Sequence, residues 1–194
     1  MSKSDPAASK RERNKTIRWV VTIFIVTIFI SGAISLLSDV IMENSSVFVA
    51  FLILLAIILI GIIFDIIGMA VASADEKPFH SMAARKVPGA QESIALLRNA
   101  ERVSSICNDV VGDICGVVSG SASAIIAVQI ISNFDFSWPQ IVSLAMSALA
   151  AGLTVGGKAI GKSFAVNSST AIVHSVGKCI HWLHSLTKPK KKTK

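Results

Sequence analysis

The sequence predicts an all-α integral membrane protein with four transmembrane helices, a cytoplasmic helical hairpin and a C-terminal juxtamembrane amphipathic helix. Three observations predict it. Hydrophobic residues make up 52% of the 194 positions and charged residues only 16%, for a mean hydropathy of +0.65. The apolar residues fall in long blocks, and a helix of about 20 residues crosses a hydrocarbon core of about 30 Å. Finally, Lys and Arg alternate between rich and absent from one connecting segment to the next, as the positive-inside rule requires.

Residues 1–15 are polar and charged and read as a disordered basic tail. The first span, residues 16–39, has its apolar core at Trp19 to Leu37. That core exceeds the roughly 7–15 residues of a secretory signal, and a second span follows at once, so an uncleaved anchor is expected. The segment from Asp39 to Ser46 carries two acids and no Lys or Arg, which places it outside. Val47 to Ile67 is the second span. Segment 75–103 returns inside, with Lys77, Arg85, Lys86, Arg98 and Arg102. Pro78 and the pair Pro88-Gly89 break it into a hairpin. Phe79 to Lys86 is its first helix; Ala90 to Arg102 is its second, with Ile94, Leu97 and Val103 on one face.

The third and fourth spans, Ile106 to Ile131 and Ile141 to Val155, are diluted by Gly, Ser and Ala, and loop 132–139 between them carries only Asp135. Beyond Lys158 the chain is basic and ends in the tail 188–194. Ile172, Val176, Cys179, Ile180 and Leu183 form a stripe at helical spacing, with Lys178 and His181 interspersed. Such a helix lies in the membrane interface and reaches anionic lipid headgroups. This pattern puts both termini in the cytoplasm of a multi-pass membrane protein. It also accounts for the formal charge of +7 without nucleic acid as a partner.

Nothing in the sequence speaks for an enzyme. There is no Ser-His-Asp arrangement, phosphate loop, dinucleotide fingerprint or HExxH. Cys107, Cys115 and Cys179 make no CxxC pair and read as free thiols. His174, His181 and His184 read as ordinary interfacial histidines.

The chemistry concentrates in CNDVVGDICG, residues 107–116. Gly112, Gly116 and Gly120 recur every fourth residue, a ridge that lets helices approach closely, within one chain or across a homodimer. Asp109 and Asp113 stand four apart on one expected helical face, beside Asn108. A carboxylate at the centre of a span costs about 2.5–3.5 kcal/mol on insertion scales. Asp65 lies near the same end of the second span and can reach a similar depth. Oxygens from several helices at one level suit a hard divalent cation. Lys158, at the end of the fourth span, can neutralise one of these acids instead. A Lys158 amine touching either carboxylate within a closed helix contact favours a salt-bridged cluster over a cation site.

Three phrases, taken in order, carry a resemblance: FDIIGMAVAS (64–73), NAERVSS (99–105) and GKAIGKSFA (157–165). They are similar in order, spacing and topology to phrases such as FFSxxExAxxS, NPERFLS and GEIxPKxxA. From about Ile62 to Leu183 the chain thus resembles the transmembrane domain of the CorB/CorC/cyclin M magnesium transporters. Residues 46–187 are then the CorB/CorC-like domain, preceded by an extra span, with no counterpart of the family's regulatory nucleotide-binding pair. The resemblance implies a homodimer that binds or transports Mg²⁺, with Co²⁺ as a second cargo. In the family, Ser, Asn and Glu oxygens and backbone carbonyls near these phrases are implied as ligands; here the candidates are Asp65, Asn108, Asp109, Asp113 and the Gly157 backbone, near Lys162. The departures matter: Asp65 stands where the family often has Ser, and Gly68 where it has Glu. Lys158 and Gly161 replace the acid and the proline of GEIxPK. Gly112-Asp113 is a displaced counterpart of the family's Gly-Asn phrase. The other reading is a non-transporting membrane scaffold or regulator in which Lys158 holds the ion's place.

Overall fold

A computed structural model describes residues 6–43, 45–134 and 138–187, and all its regular elements among them are helical. Four stretches are long and apolar enough to cross a membrane: Thr16–Met42, Val47–Ser73, Ala100–Asn133 and Pro139–Asn167. The four expected spans are therefore present as helices. Both the tail 188–194 and Asp135 lie outside the described residues.

Helix α1 runs Pro6–Glu43. It takes in residues 6–15, which composition assigned to a disordered tail. Pro6 suits the first turn of a helix, and the Ala, Lys, Arg and Glu that follow are strong helix formers, so the polar segment continues the apolar one. α1 packs on the third span: Ile23 meets the cluster of Val110, Ile114 and Val118. At one end Arg102 stacks over Trp19, 5.3 Å from the ring centroid. At the other, Gln129 Nε2 donates to the Met42 carbonyl at 2.8 Å.

Helix α2, Val47–Ser73, is capped by Ser46, whose hydroxyl accepts from the Val49 amide. Its buried line reads Ala50, Leu54, Ile58, Gly61, Asp65, Gly68, at the spacing of one helical face. The carboxylate of Asp65 therefore sits in the row that the rest of the helix fills with apolar residues. α2 lies at the centre, against both later spans.

Helix α3 (Lys77–Ala84) and helix α4 (Ala90–Arg98) form the hairpin, closed by Lys86 at φ 56° and Gly89 at φ 85°. The second hairpin helix ends at Arg98 rather than Arg102. The chain bends at Asn99, whose side chain donates to the Ala95 carbonyl, and restarts as α5, Ala100–Ser105. Phe79 and Leu97 join Ala70, Val71, Ala165 and Val173 in a core beneath the spans, with Ile94 and Val103 packed on it.

The third span continues from α5 through a π-helical segment, Ile106–Gly112, into α6, Asp113–Phe134. The fourth is α7, Pro139–Asn167. Gly161 on α7 backs onto Ile66, where an added Cβ would lie 2.8 Å from the Ile66 Cγ1, and Gly157 meets Ile62 in the same way. These glycines let α7 lie against α2. Gly116 and Gly120 do not serve such a contact: among the described residues, nothing beyond the neighbouring backbone of α6 lies within 4 Å of a Cβ built on either. Helix α8, Ser169–Thr187, packs on α4 and α2 through Val173 and Gly177. Cys179, Trp182 and Leu183 are left exposed on α8.

Candidate functional site

Three elements converge at Asp65. α2 supplies the carboxylate, α7 supplies Lys158, and the π-helical segment supplies the Gly112 carbonyl, with Asn108 packed on Gly68 about one turn further along α2. The Lys158 ammonium lies 3.7 Å from Asp65 Oδ1 and 4.0 Å from Asp113 Oδ1. It donates to the Gly112 carbonyl at 3.5 Å. Charge-assisted hydrogen bonds between nitrogen and carboxylate run about 2.7–2.9 Å, so the amine hovers between two acids without bonding either.

The surroundings are unequal. Asp65 is 6% exposed, whereas the Asp113 side chain is 73% exposed and that of Lys158 is 21%. Asp65 Oδ2 is buried and accepts no hydrogen bond, and the same holds for Asn108 Oδ1. The Asn108 amide sits against the Cα of Gly68, where any side chain would collide with its oxygen. Its nitrogen donates to the Ser104 hydroxyl at 3.3 Å, which turns the oxygen toward α2. A buried acceptor left without a donor costs about 1–3 kcal/mol, and more when charged. Both oxygens lie along the same buried row of α2, that of Asn108 at Gly68 about one turn from Asp65.

Asp113, the first residue of α6, lies 4.0 Å from the Lys158 ammonium. Asp109, inside the π-helical segment, is exposed and accepts from the Ser105 hydroxyl at 2.8 Å, one turn back along the chain. Of the residues singled out in the sequence, Asp65, Gly112, Asp113 and Lys158 come together, and Asn108 packs on Gly68 of the same helix α2. Gly157 faces Ile62, and Lys162 is exposed. Gly116 and Gly120 line a cavity of about 180 Å³ between α6 and α7, with the hydroxyls of Ser119, Ser123, Ser147 and Thr154.

Among the described residues, no three side chains of the His, Cys, Asp and Glu types converge as a metal cage. The donors at hand are two carboxylates, one amide and one backbone carbonyl. Such a partial oxygen set fits Mg²⁺, which holds on to several of its waters and takes only one or two carboxylates.

A second polar contact lies outside the spans and had no signal in the sequence. His181 Nδ1 on α8 lies 2.7 Å from Glu92 Oε1 on α4. The hydrogen bond from His181 holds the Glu92 carboxyl below its ordinary range. Next to it, buried Ser93 donates to the Gly89 carbonyl at 2.8 Å and also reaches the Val173 carbonyl at 3.2 Å. Burial and the nearby Lys178 hold His174 below the usual histidine range.

No protein-family model matches the chain, and no curated protein or solved structure matches it either.

Proposed function

We propose that the chain is a membrane protein of the CorB/CorC-like transmembrane type that binds a divalent cation, Mg²⁺ above all, and moves it across the bilayer. The observation that carries this reading is the buried Asp65 carboxylate, one of whose oxygens has no hydrogen-bond partner among the described residues, with the likewise unpartnered Asn108 oxygen about one turn away along α2. A hard cation is the partner those oxygens lack. Movement requires no covalent step. Asp65, Asn108 and the Gly112 carbonyl substitute for part of the hydration shell, and Asp113 offers a second, more exposed carboxylate on the way. In this reading the protein sits in the plasma membrane with both termini in the cytoplasm. It acts as a homodimer, and α8 lies on anionic headgroups.

A second reading has its own observation. The Lys158 amine stands within 4.0 Å of both acids, as it would in a non-transporting scaffold where lysine is the permanent counter-ion. Two features weigh against it. Buried ion pairs offset their desolvation only with close hydrogen-bonded geometry, which Lys158 lacks toward both carboxylates. The contact is also open on one side, where Asp113 is exposed.

Liposome flux separates the two. The transport reading expects Mg²⁺ flux through the wild type that disappears in Asp65→Asn and falls in Asp113→Asn. A wild type with neither flux nor stabilisation by Mg²⁺ belongs to the scaffold.

A further inference from the structure

The cation site proposed above contains a cation of its own, and its charge restricts what else can bind. Asp65, Asp113 and Lys158, all ionised, carry one net negative charge. A monovalent ion balances that charge with the lysine in place. A divalent ion does so only once the ammonium has left. In a site as buried as that of Asp65, an unbalanced like charge a few ångströms away is strongly repulsive.

The geometry gives the ammonium a way out. Its hydrogen bond is the 3.5 Å contact with the Gly112 carbonyl, and it lies beyond hydrogen-bond distance of both acids. Gly112 keeps this passage narrow but clear: a Cβ there would lie 3.3 Å from Lys158 Nζ and 3.9 Å from Asp65 Oδ1. Asp113 marks the exposed side, and the four-carbon stem of lysine can carry the charge outward while its base stays on α7. On the inner side, Asp65 Oδ2 and Asn108 Oδ1 are the acceptors that the ammonium does not serve.

We infer that Lys158 is the specificity-determining residue of the site: its ammonium is an exchangeable internal cation that a divalent ion must drive off Asp65 in order to bind. This rests on the cation reading and adds to it a built-in competitor, which weakens divalent binding and sets the valence that the site accepts.

The test uses the full chain in lipid nanodiscs, titrated with MgCl₂ and read by calorimetry. Lys158→Met is expected to bind Mg²⁺ at least about tenfold more tightly than wild type, because a like charge at short range is gone. Lys158→Arg keeps the charge and is expected to stay close to wild type. Equal or weaker binding by Lys158→Met, with Mg²⁺ still bound by wild type, overturns the inference and leaves the cation reading standing. Absence of Mg²⁺ binding in wild type and Lys158→Met alike overturns both. Should Lys158→Met fail to fold, the wild type gives the answer by amine labelling and peptide mass spectrometry. Labelling of Lys158 is expected to speed up on adding Mg²⁺ as the amine moves outward. An unchanged or slower rate, under conditions where Mg²⁺ binding is measured, overturns the inference alone.

Discussion

Lys158 on α7 reaches to within 3.7 Å of Asp65 on α2, and this contact joins the two helices at the level of the π-helical segment. Removing one partner of a buried ion pair strands the other charge and costs about 3–5 kcal/mol. Without added divalent ion, Lys158→Met is therefore expected to lose stability on the order of 3 kcal/mol, toward the low end because the pair is not hydrogen-bonded. The double variant Asp65→Leu/Lys158→Met is expected to recover most of that loss. Unfolding of both variants in detergent, against wild type, measures the coupling. A double variant as unstable as Lys158→Met assigns the cost to lost packing instead.

Gly68 is the second point where one atom matters. A Cβ there collides with the Asn108 oxygen, so Gly68→Ala forces the amide out of its place between α2 and the π-helical segment. Overpacking of this kind costs about 1–3 kcal/mol. The expected result is a moderate drop in stability together with weakened Mg²⁺ binding. Asn108→Ala in the Gly68→Ala background removes the collision and is expected to restore the stability but not the binding. Parallel thermal unfolding and Mg²⁺ titration read the two effects separately.

The spans were legible in the sequence because burial in lipid leaves a coarse signal, some twenty apolar residues in a row, that survives without any knowledge of packing. Asp65, Asn108, Asp113 and Lys158 stood out for the same reason: each is polar where the block is apolar. What was not legible depends on winding or on distant partners. A π turn has no characteristic composition, so neither the winding of Ile106–Gly112 nor the hydrogen bond of Asp109 with Ser105 could be read ahead. Glu92 and His181 are 89 residues apart, and no local pattern announces such a contact. The buried line of α8, Val173 and Gly177, was missed because the apolar stripe beside it is larger yet faces outward in part.

The Glu92–His181 contact gives a pH dependence with a definite sign. The Glu92 carboxyl is held below its ordinary value of 4.5 by the His181 hydrogen bond. A lowered carboxylate contributes stability that is fully present above the unfolded value and disappears as pH falls through the folded one. The α4–α8 contact is therefore expected to loosen only in acid, below about pH 4.5. Fluorescence of Trp182, which is exposed on α8, reports the change when wild type is compared with Glu92→Gln. The wild type is expected to show an acid transition that the Gln variant lacks. Coincident curves would assign the transition to other carboxylates.

The glycine ridge yields the clearest separation of folding from assembly. Among the described residues, nothing beyond the neighbouring backbone of α6 lies within 4 Å of a Cβ added at Gly116 or Gly120, so side chains at these positions have room within one chain. In an apolar solvent, small residues at helical spacing favour helix association through close backbone approach, and bulk there acts against it. Gly120→Leu is thus expected to leave the unfolding midpoint of the monomer nearly unchanged and to abolish the proposed homodimer, with Gly116→Leu acting alike. Cross-linking in liposomes at low protein-to-lipid ratio, beside unfolding in detergent, measures both quantities on one variant. A dimer that survives Gly120→Leu removes the ridge from the interface. A monomer that unfolds early instead shows that α6 and α7 close over the ridge in the membrane, where the cavity of about 180 Å³ now lies between them.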